Sequence, residues 1–207
     1  MPDRADAARY LGLGGHAPDA RTAALIDSCL AELDEHAPNL AVWRVFPIQS
    51  GNINGIPGAD FSTLLPGCAQ AVVLAATLGP QIDALLRAYG RTALSRAVVL
   101  DACANAAIGQ VCDSLLQSLG QQQNKGGLFL TSPLYPGSDG LPLAIQRDIL
   151  RLLQADKAIG LTVSDAGMLL PTKSLTAIAG ISSTPQAACT HSCKQCSRSA
   201  DCIYRKD

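Results

Sequence analysis

Cys189, Cys193, Cys196 and Cys202 close a 207-residue chain, separated by three, two and five residues. Thiolates this dense, in a segment with almost no apolar residues to bury, suit metal ligation better than core packing. Gaps of two to five residues let a short loop curl round one centre, either an iron-sulfur cluster or a zinc ion. The single compact run favours a 4Fe-4S cluster, because structural zinc sites usually arrive as two separated pairs with a dozen or more residues between them. Zinc is the alternative. His191 lies inside the run and could replace one thiolate, although a loop histidine is more commonly just exposed. Lys194, Arg198 and Arg205 flank the ligands. Their charge would stabilise a reduced cluster and guide an acidic donor, or simply solubilise the tail.

The other four cysteines, Cys29, Cys68, Cys103 and Cys112, are scattered through apolar segments and read as small buried hydrophobes. The amino terminus, MPDRADAARYLGLGG, is charged and lacks the apolar stretch of an export signal. The longest apolar runs, such as AVVLAATLG, fall short of a membrane span. A cytoplasmic protein with reduced thiols, rather than a disulfide scaffold, is the expectation. Net charge is −1 and no basic stripe is present, so a nucleic-acid partner is not expected. Ser-His-Asp, phosphate-loop and HExxH patterns are absent, which leaves hydrolase and kinase readings without support.

The body that must position the tail is 48% hydrophobic but only 4% aromatic, so its core rests on Ala, Leu, Val and Ile. Helices are expected from Asp6 to Leu13, and from Asp19 to Glu35 with Asp19 as cap. Further helices are expected after Gly79-Pro80, from Thr92 to Leu119, and from Leu143 to Leu153. Strands are expected at Asn39–Ile48, at Ala71–Ala76 and at LFL; SGNINGIPG supplies turns and Phe61–Leu65 a helical turn. QQQNKGG, Gln121 to Gly127, reads as a polar connector, and Ser132 to Gly140 as a Pro/Gly-rich loop. Gly160 to Ile181 reads as two strands with a turn near Pro171. Asp101, a single acid among Ala and Leu on the long helix, reads as a buried hydrogen-bonding group. The alternation of strands and helices indicates an α+β or α/β body. The division expected is a body over residues 1–181 and a metal-binding tail over 182–207.

Two segments together resemble a known family. GLFLTSPLYPGSDGLPLAIQRDIL is similar to a family loop reading roughly LTxRxxPGYGDLPL before a helix. IGLTVSDAGMLLPTKSLTAIAGI is similar to IGxxLTESxxMxPxKSVSAIIG, and VVLAATLGPQIDALLRAYGRTALSRAVVLDACANAA also resembles the family. The family is the reactivation (activation) domain of cobalamin-dependent methionine synthase, in a stand-alone form, and the likeness spans most of residues 6–181. It implies an α+β fold, a strongly bent antiparallel sheet flanked by helices. It also implies docking on a cobalamin-bearing methyltransferase whose cobalt has fallen to Co(II), S-adenosylmethionine as ligand, and a low-potential electron donor.

The departures from the family pattern fall on the ligand loop. The family's Arg, Gly and Tyr for S-adenosylmethionine align with Pro133, Gly137 and Ser138, so only the glycine is kept. Arginine's planar fork makes paired charge-assisted bonds to a carboxylate, and proline makes none. The next pair is inverted to Asp139-Gly140, and the family's Glu-Ser becomes Asp165-Ala166. These changes argue against S-adenosylmethionine held in the family's manner. Tyr135, Gly137, Ser138, Asp139 and Asp165 remain the candidates for contacting a nucleotide-like ligand or the corrinoid edge, with ordinary turn chemistry as the competing reading. Lys173-Ser174 also matches a family position and would otherwise only open a strand. Cys189 to Cys196 further reproduce the three-cysteine spacing of radical S-adenosylmethionine enzymes. Those enzymes set the motif near the start of a βα barrel, whereas here it ends the chain.

Overall fold

The computed structural model describes residues 2–13, 16–138 and 140–184. The cysteine run, His191 and Asp139 lie outside the described residues. Strands of two opposite characters set the architecture. CAQAVVLAAT forms β3 (Cys68–Thr77) and SLTAIAGIS forms β7 (Ser174–Ser182); both are almost continuously apolar because both faces of each strand are covered. LAVWRVFPIQ forms β1 (Leu40–Gln49), largely exposed, at the side of the sheet. With β2 (Asn52–Ile53) and β4 (Phe129–Leu130) they make a bent antiparallel sheet in the order β2-β1-β3-β7-β4. A separate hairpin pairs β5 (Thr162–Val163) with β6 (Leu169–Leu170).

The alternation along β3 assigns the two layers. Ala71, Val73 and Ala75 face a core with Phe61 of α3 (Phe61–Leu64), Ile145, Ile149 and Leu153 of α6 (Ile145–Leu153), and Ile159 of α7 (Ala155–Ile159). Val72, Leu74 and Ala76 face the opposite way. They meet α5 (Leu94–Asn124), behind which pack α1 (Arg4–Tyr10), α2 (Ala20–His36) and α4 (Pro80–Thr92). Asp19 caps α2, its Oδ1 accepting from Thr22 N at 2.8 Å. Gly79 opens α4 at φ +83°, where a Cβ would stand 3.0 Å from the Pro38 ring. Pro80 then occupies the first turn, where its missing N–H costs nothing.

Several expectations are corrected. The helix expected to stop at Leu119 runs to Asn124, because Gln121–Gln123 are good helix formers and only Gly126-Gly127 break the pattern. The Gly160–Ile181 segment holds three strands, not two, and the peptide before Pro171 is cis. Ala155–Ile159 forms a helix that was not expected. Asp101 is half-exposed and ion-paired rather than buried. By length and composition α5 could cross a membrane, against the expectation from short apolar runs. Half of its most apolar window is buried, and those residues pack on α2, α4 and the sheet.

Candidate functional site

Two segments converge beside α6, the loop after β4 and the β5–β6 turn, and a third, Pro171–Ser174, leads into β7 against α4, α5 and β3. The loop leaves the sheet gradually. Leu134 and Ile178 exchange main-chain bonds of 2.8 and 3.0 Å, extending the β4 edge before the chain turns. Ser138 then donates both its N–H and its hydroxyl to the Tyr135 carbonyl, each at 3.0 Å. Gly137 N donates to Leu141 O at 2.8 Å, and Leu141 N returns to Ser138 O at 2.8 Å. The turn needs the positive φ of Gly137, +91°. Ser138 therefore serves the loop's own geometry.

Tyr135 points inward. Its ring packs with Leu74, Cys112, Ala177 and Leu175, and its hydroxyl lies 3.9 Å from Cys112 Sγ. Burial drives the phenol well above its ordinary value, with Cys112 adding to the effect, so it stays protonated throughout the neutral range. Burial likewise pushes the Cys112 thiol up to about 11.

The β5–β6 turn is held by two side chains of α6. Gln146, buried, donates Nε2 to Gly167 O at 2.8 Å. Arg147 Nη2 donates to Ser164 O at 3.3 Å and lies 3.8 Å from Asp165 Oδ1. Asp165 is otherwise fully exposed. A cleft of about 390 Å³ separates α6 from this turn and is lined by Leu143, Gln146, Arg147, Asp165 and Gly167. Leu143 joins the two predicted segments. A Cβ at Gly137 would stand 3.4 Å from its Cδ1, and one at Gly167 would stand 3.7 Å from its Cδ2. Leu143, Met168 and Leu170 are exposed, giving this side of the molecule an apolar rim.

Pro171–Ser174 is anchored by Asp101, which the sequence singled out, and by Asp83, Thr77 and Asn105, which it did not. Asp83 of α4 accepts from Thr172 N at 2.8 Å and from Thr172 Oγ1 at 2.7 Å. Ser174 Oγ lies 2.7 Å from both Thr77 Oγ1 and Pro171 O. Lys173 Nζ reaches Asp101 Oδ1 at 2.6 Å and donates to Asn105 Oδ1 at 2.9 Å. The signal available for Gln146 was a polar residue set inside an apolar helical stripe, beside Ile145 and Ile149. Asp83 carried a similar signal beside Ile82.

Pro133 lines a second cleft, of about 350 Å³, between α5 and β4, with Asp113, Leu116, Asn124 and Thr131. Of the four described cysteines, Cys29, Cys103 and Cys112 are buried as expected, and Cys68 is half-buried. Among the described residues no group of three or more His, Cys, Asp or Glu could hold a metal ion.

No protein-family model matches the chain, and no curated protein matches it in sequence. Among solved structures the fold is similar to the crystal structure of the MetH reactivation domain bound to AdoHcy, with a TM-score of 0.61 and 14% sequence identity. The match covers 77% of this chain and 64% of that one, so the chain spans less than two thirds of that structure's length. At this identity the likeness is one of fold.

Proposed function

We propose that this chain is a cytoplasmic accessory protein for the reductive reactivation of a corrinoid- or cobalamin-dependent methyltransferase. The observation that carries the reading is the pairing of a reactivation-domain fold with four closely spaced tail thiols. In this reading the body, residues 1–181, docks on the corrinoid-bearing partner. The apolar rim of Leu143, Met168 and Leu170, with Gly137, Ser138 and Asp165 near it, is the surface turned towards the corrin; Tyr135 supports the loop from the core, and Asp139 lies outside the described residues. The tail, residues 182–207, holds a 4Fe-4S cluster through Cys189, Cys193, Cys196 and Cys202. Four thiolates in one run are a fitting donor set. Held by those four thiolates, the cluster would supply the one-electron chemistry needed to take an electron from a low-potential donor to the partner's Co(II).

S-adenosylmethionine fits this chain poorly. Pro133 replaces the arginine that would pair with the ligand's carboxylate, and the one charged residue lining its cleft is the acid Asp113. No step is therefore assigned to that ligand.

The second reading is a non-catalytic docking module whose tail is ordered by zinc. Metal content separates the two. Protein purified without oxygen, holding about four irons and four sulfides and absorbing broadly at about 400 nm, supports the relay. One zinc and no colour supports the docking module. The relay reading fails if the reduced, cluster-loaded protein cannot reduce the Co(II) form of any corrinoid methyltransferase.

A further inference from the structure

The outer edge of β1 carries a pattern that fits a second copy of itself. On its inner side β1 pairs with β3 from Leu40↔Thr77 to Pro47↔Gln70. On its outer side β2 pairs only with Ile48 and Gln49. Leu40 to Pro47 thus present a free main-chain edge among the described residues. Such an edge is a template for another strand. The side chains it carries are apolar and uncovered: Leu40, Trp43 and Val45 are 36–40% exposed, and Ala41 is exposed.

We propose that two copies of this chain associate through β1, antiparallel, about a two-fold axis at Trp43. The ends of the edge fit that centre. Asn39 sits in the left-handed region at φ +50°, where an extended strand cannot continue. Pro47 has no N–H to offer a ladder. Asn39 and Pro47 lie equally far from Trp43, so the usable edge, Leu40 to Phe46, is centred on that residue.

Charge selects the same register. Strands joined about an axis normal to the sheet must pair residues of the same face, so the two-fold falls on a residue. Centred on Trp43, Leu40 lies opposite Phe46 of the second copy, Ala41 opposite Val45, and Val42 opposite Arg44. Arg44 is the single charged residue of β1, and centring the axis on it would set two guanidinium groups face to face. A second copy also brings an edge already extended in its own sheet. A foreign peptide would first lose conformational freedom to adopt that shape.

Sedimentation of the full chain over a wide concentration range tests the proposal, with fluorescence of its one tryptophan as a second readout. A monomer–dimer equilibrium accompanied by a blue shift of the Trp43 emission is expected. The register is tested by two double variants at exposed positions. Ala41→Lys with Val45→Lys sets like charges opposite each other twice and should weaken the dimer roughly tenfold. Ala41→Lys with Val45→Glu sets opposite charges there and should retain it. Circular dichroism melts confirm that each variant folds. A single monomeric species at every concentration would overturn the proposal. So would a dimer that responds equally to both double variants.

Discussion

Lys173 Nζ lies 2.6 Å from Asp101 Oδ1, tying the segment that leads into β7 to the first third of α5. The two partners are unequally buried, Lys173 at 12% exposure and Asp101 at 49%. Removing either should therefore have different consequences. Asp101→Ala leaves a buried ammonium with only Asn105 to receive it, and should cost about 1–2 kcal/mol after allowance for the exposed acid. Lys173→Met removes the buried charge itself and leaves Asp101 to water and to Asn105 Nδ2, which donates to its Oδ2 at 3.1 Å, so it should cost less. Urea denaturation of the two variants compares them directly. A larger loss for Lys173→Met would mean that the lysine does more than hold the segment.

Asp83 makes the second anchor. Its carboxylate accepts from both the main-chain N–H and the hydroxyl of Thr172. Asp83→Ala leaves the Thr172 N–H without its partner and should cost about 2–3 kcal/mol. Asp83→Asn keeps one carbonyl acceptor and should lose roughly half as much. If Asp83→Ala unfolds no more readily than the parent, the segment does not depend on this anchor.

An acid-sensitive contact lies in the same helical layer, where Glu32 of α2 accepts from Tyr89 Oη of α4 at 2.6 Å and Arg96 Nη2 of α5 at 2.7 Å. Burial alone would raise the Glu32 pKa, but the bonds from Tyr89 and Arg96 outweigh it and hold the carboxyl below its ordinary 4.5. A depressed folded pKa means stability that is complete above 4.5 and lost as pH falls through the lower, folded value. Glu32→Gln should therefore be less stable than the parent at neutral pH, and the gap should shrink on acidification. Thermal melts from pH 7 to strongly acid solution measure it. A gap that stays constant with pH would exclude Glu32 as the source.

The cysteines divide by environment. Burial pushes Cys103 up to about 12 and Cys112 up to about 11, and raises Cys29 as well. In native protein at neutral pH these three should resist a maleimide while the tail thiols, stripped of metal, react quickly. If the tail binds a cluster or zinc, anaerobic protein as purified should protect Cys189, Cys193, Cys196 and Cys202 until a chelator or oxidant releases the metal. Peptide mass spectrometry reads each site. Rapid labelling of all four tail cysteines in the untreated protein would contradict metal binding.

Much of the fold was legible because local pattern and tertiary role agree. Asp19 announced the start of α2, Gly79-Pro80 that of α4, and the unbroken apolar run in β3 reflects cover on both faces. The site was less legible. Tyr135 stands in a loop of turn-forming residues, yet its ring belongs to the core with Cys112, a contact set by tertiary packing across 23 residues. Lys173 and Asp101 meet across a still longer separation, and charge spacing along one element cannot reveal such a pair. The end of α5 at Asn124 is hidden for a different reason: Gln121–Asn124 has the polar composition of a loop, although glutamine favours a helix.

Gly180 shows how closely β7 meets its neighbours. A Cβ there would stand 2.5 Å from Cys68 Sγ and 3.2 Å from both Cys68 Cβ and Thr131 Cγ2. The main chain cannot simply retreat, because Gly180 N donates to Thr131 Oγ1 at 2.9 Å while Gly180 O accepts from Thr131 N at 2.9 Å. Gly180→Ala should therefore destabilise the protein by about 1–3 kcal/mol, the usual cost of overpacking a filled site. Cys68→Ala removes the nearest atom but keeps the Cβ, so the double variant should recover part of that loss and not all of it. A double-mutant cycle by urea denaturation measures the coupling. Strict additivity would mean that the sulfur rotates away freely and that the constraint comes from Thr131, the residue that holds β4 and the candidate loop against β7.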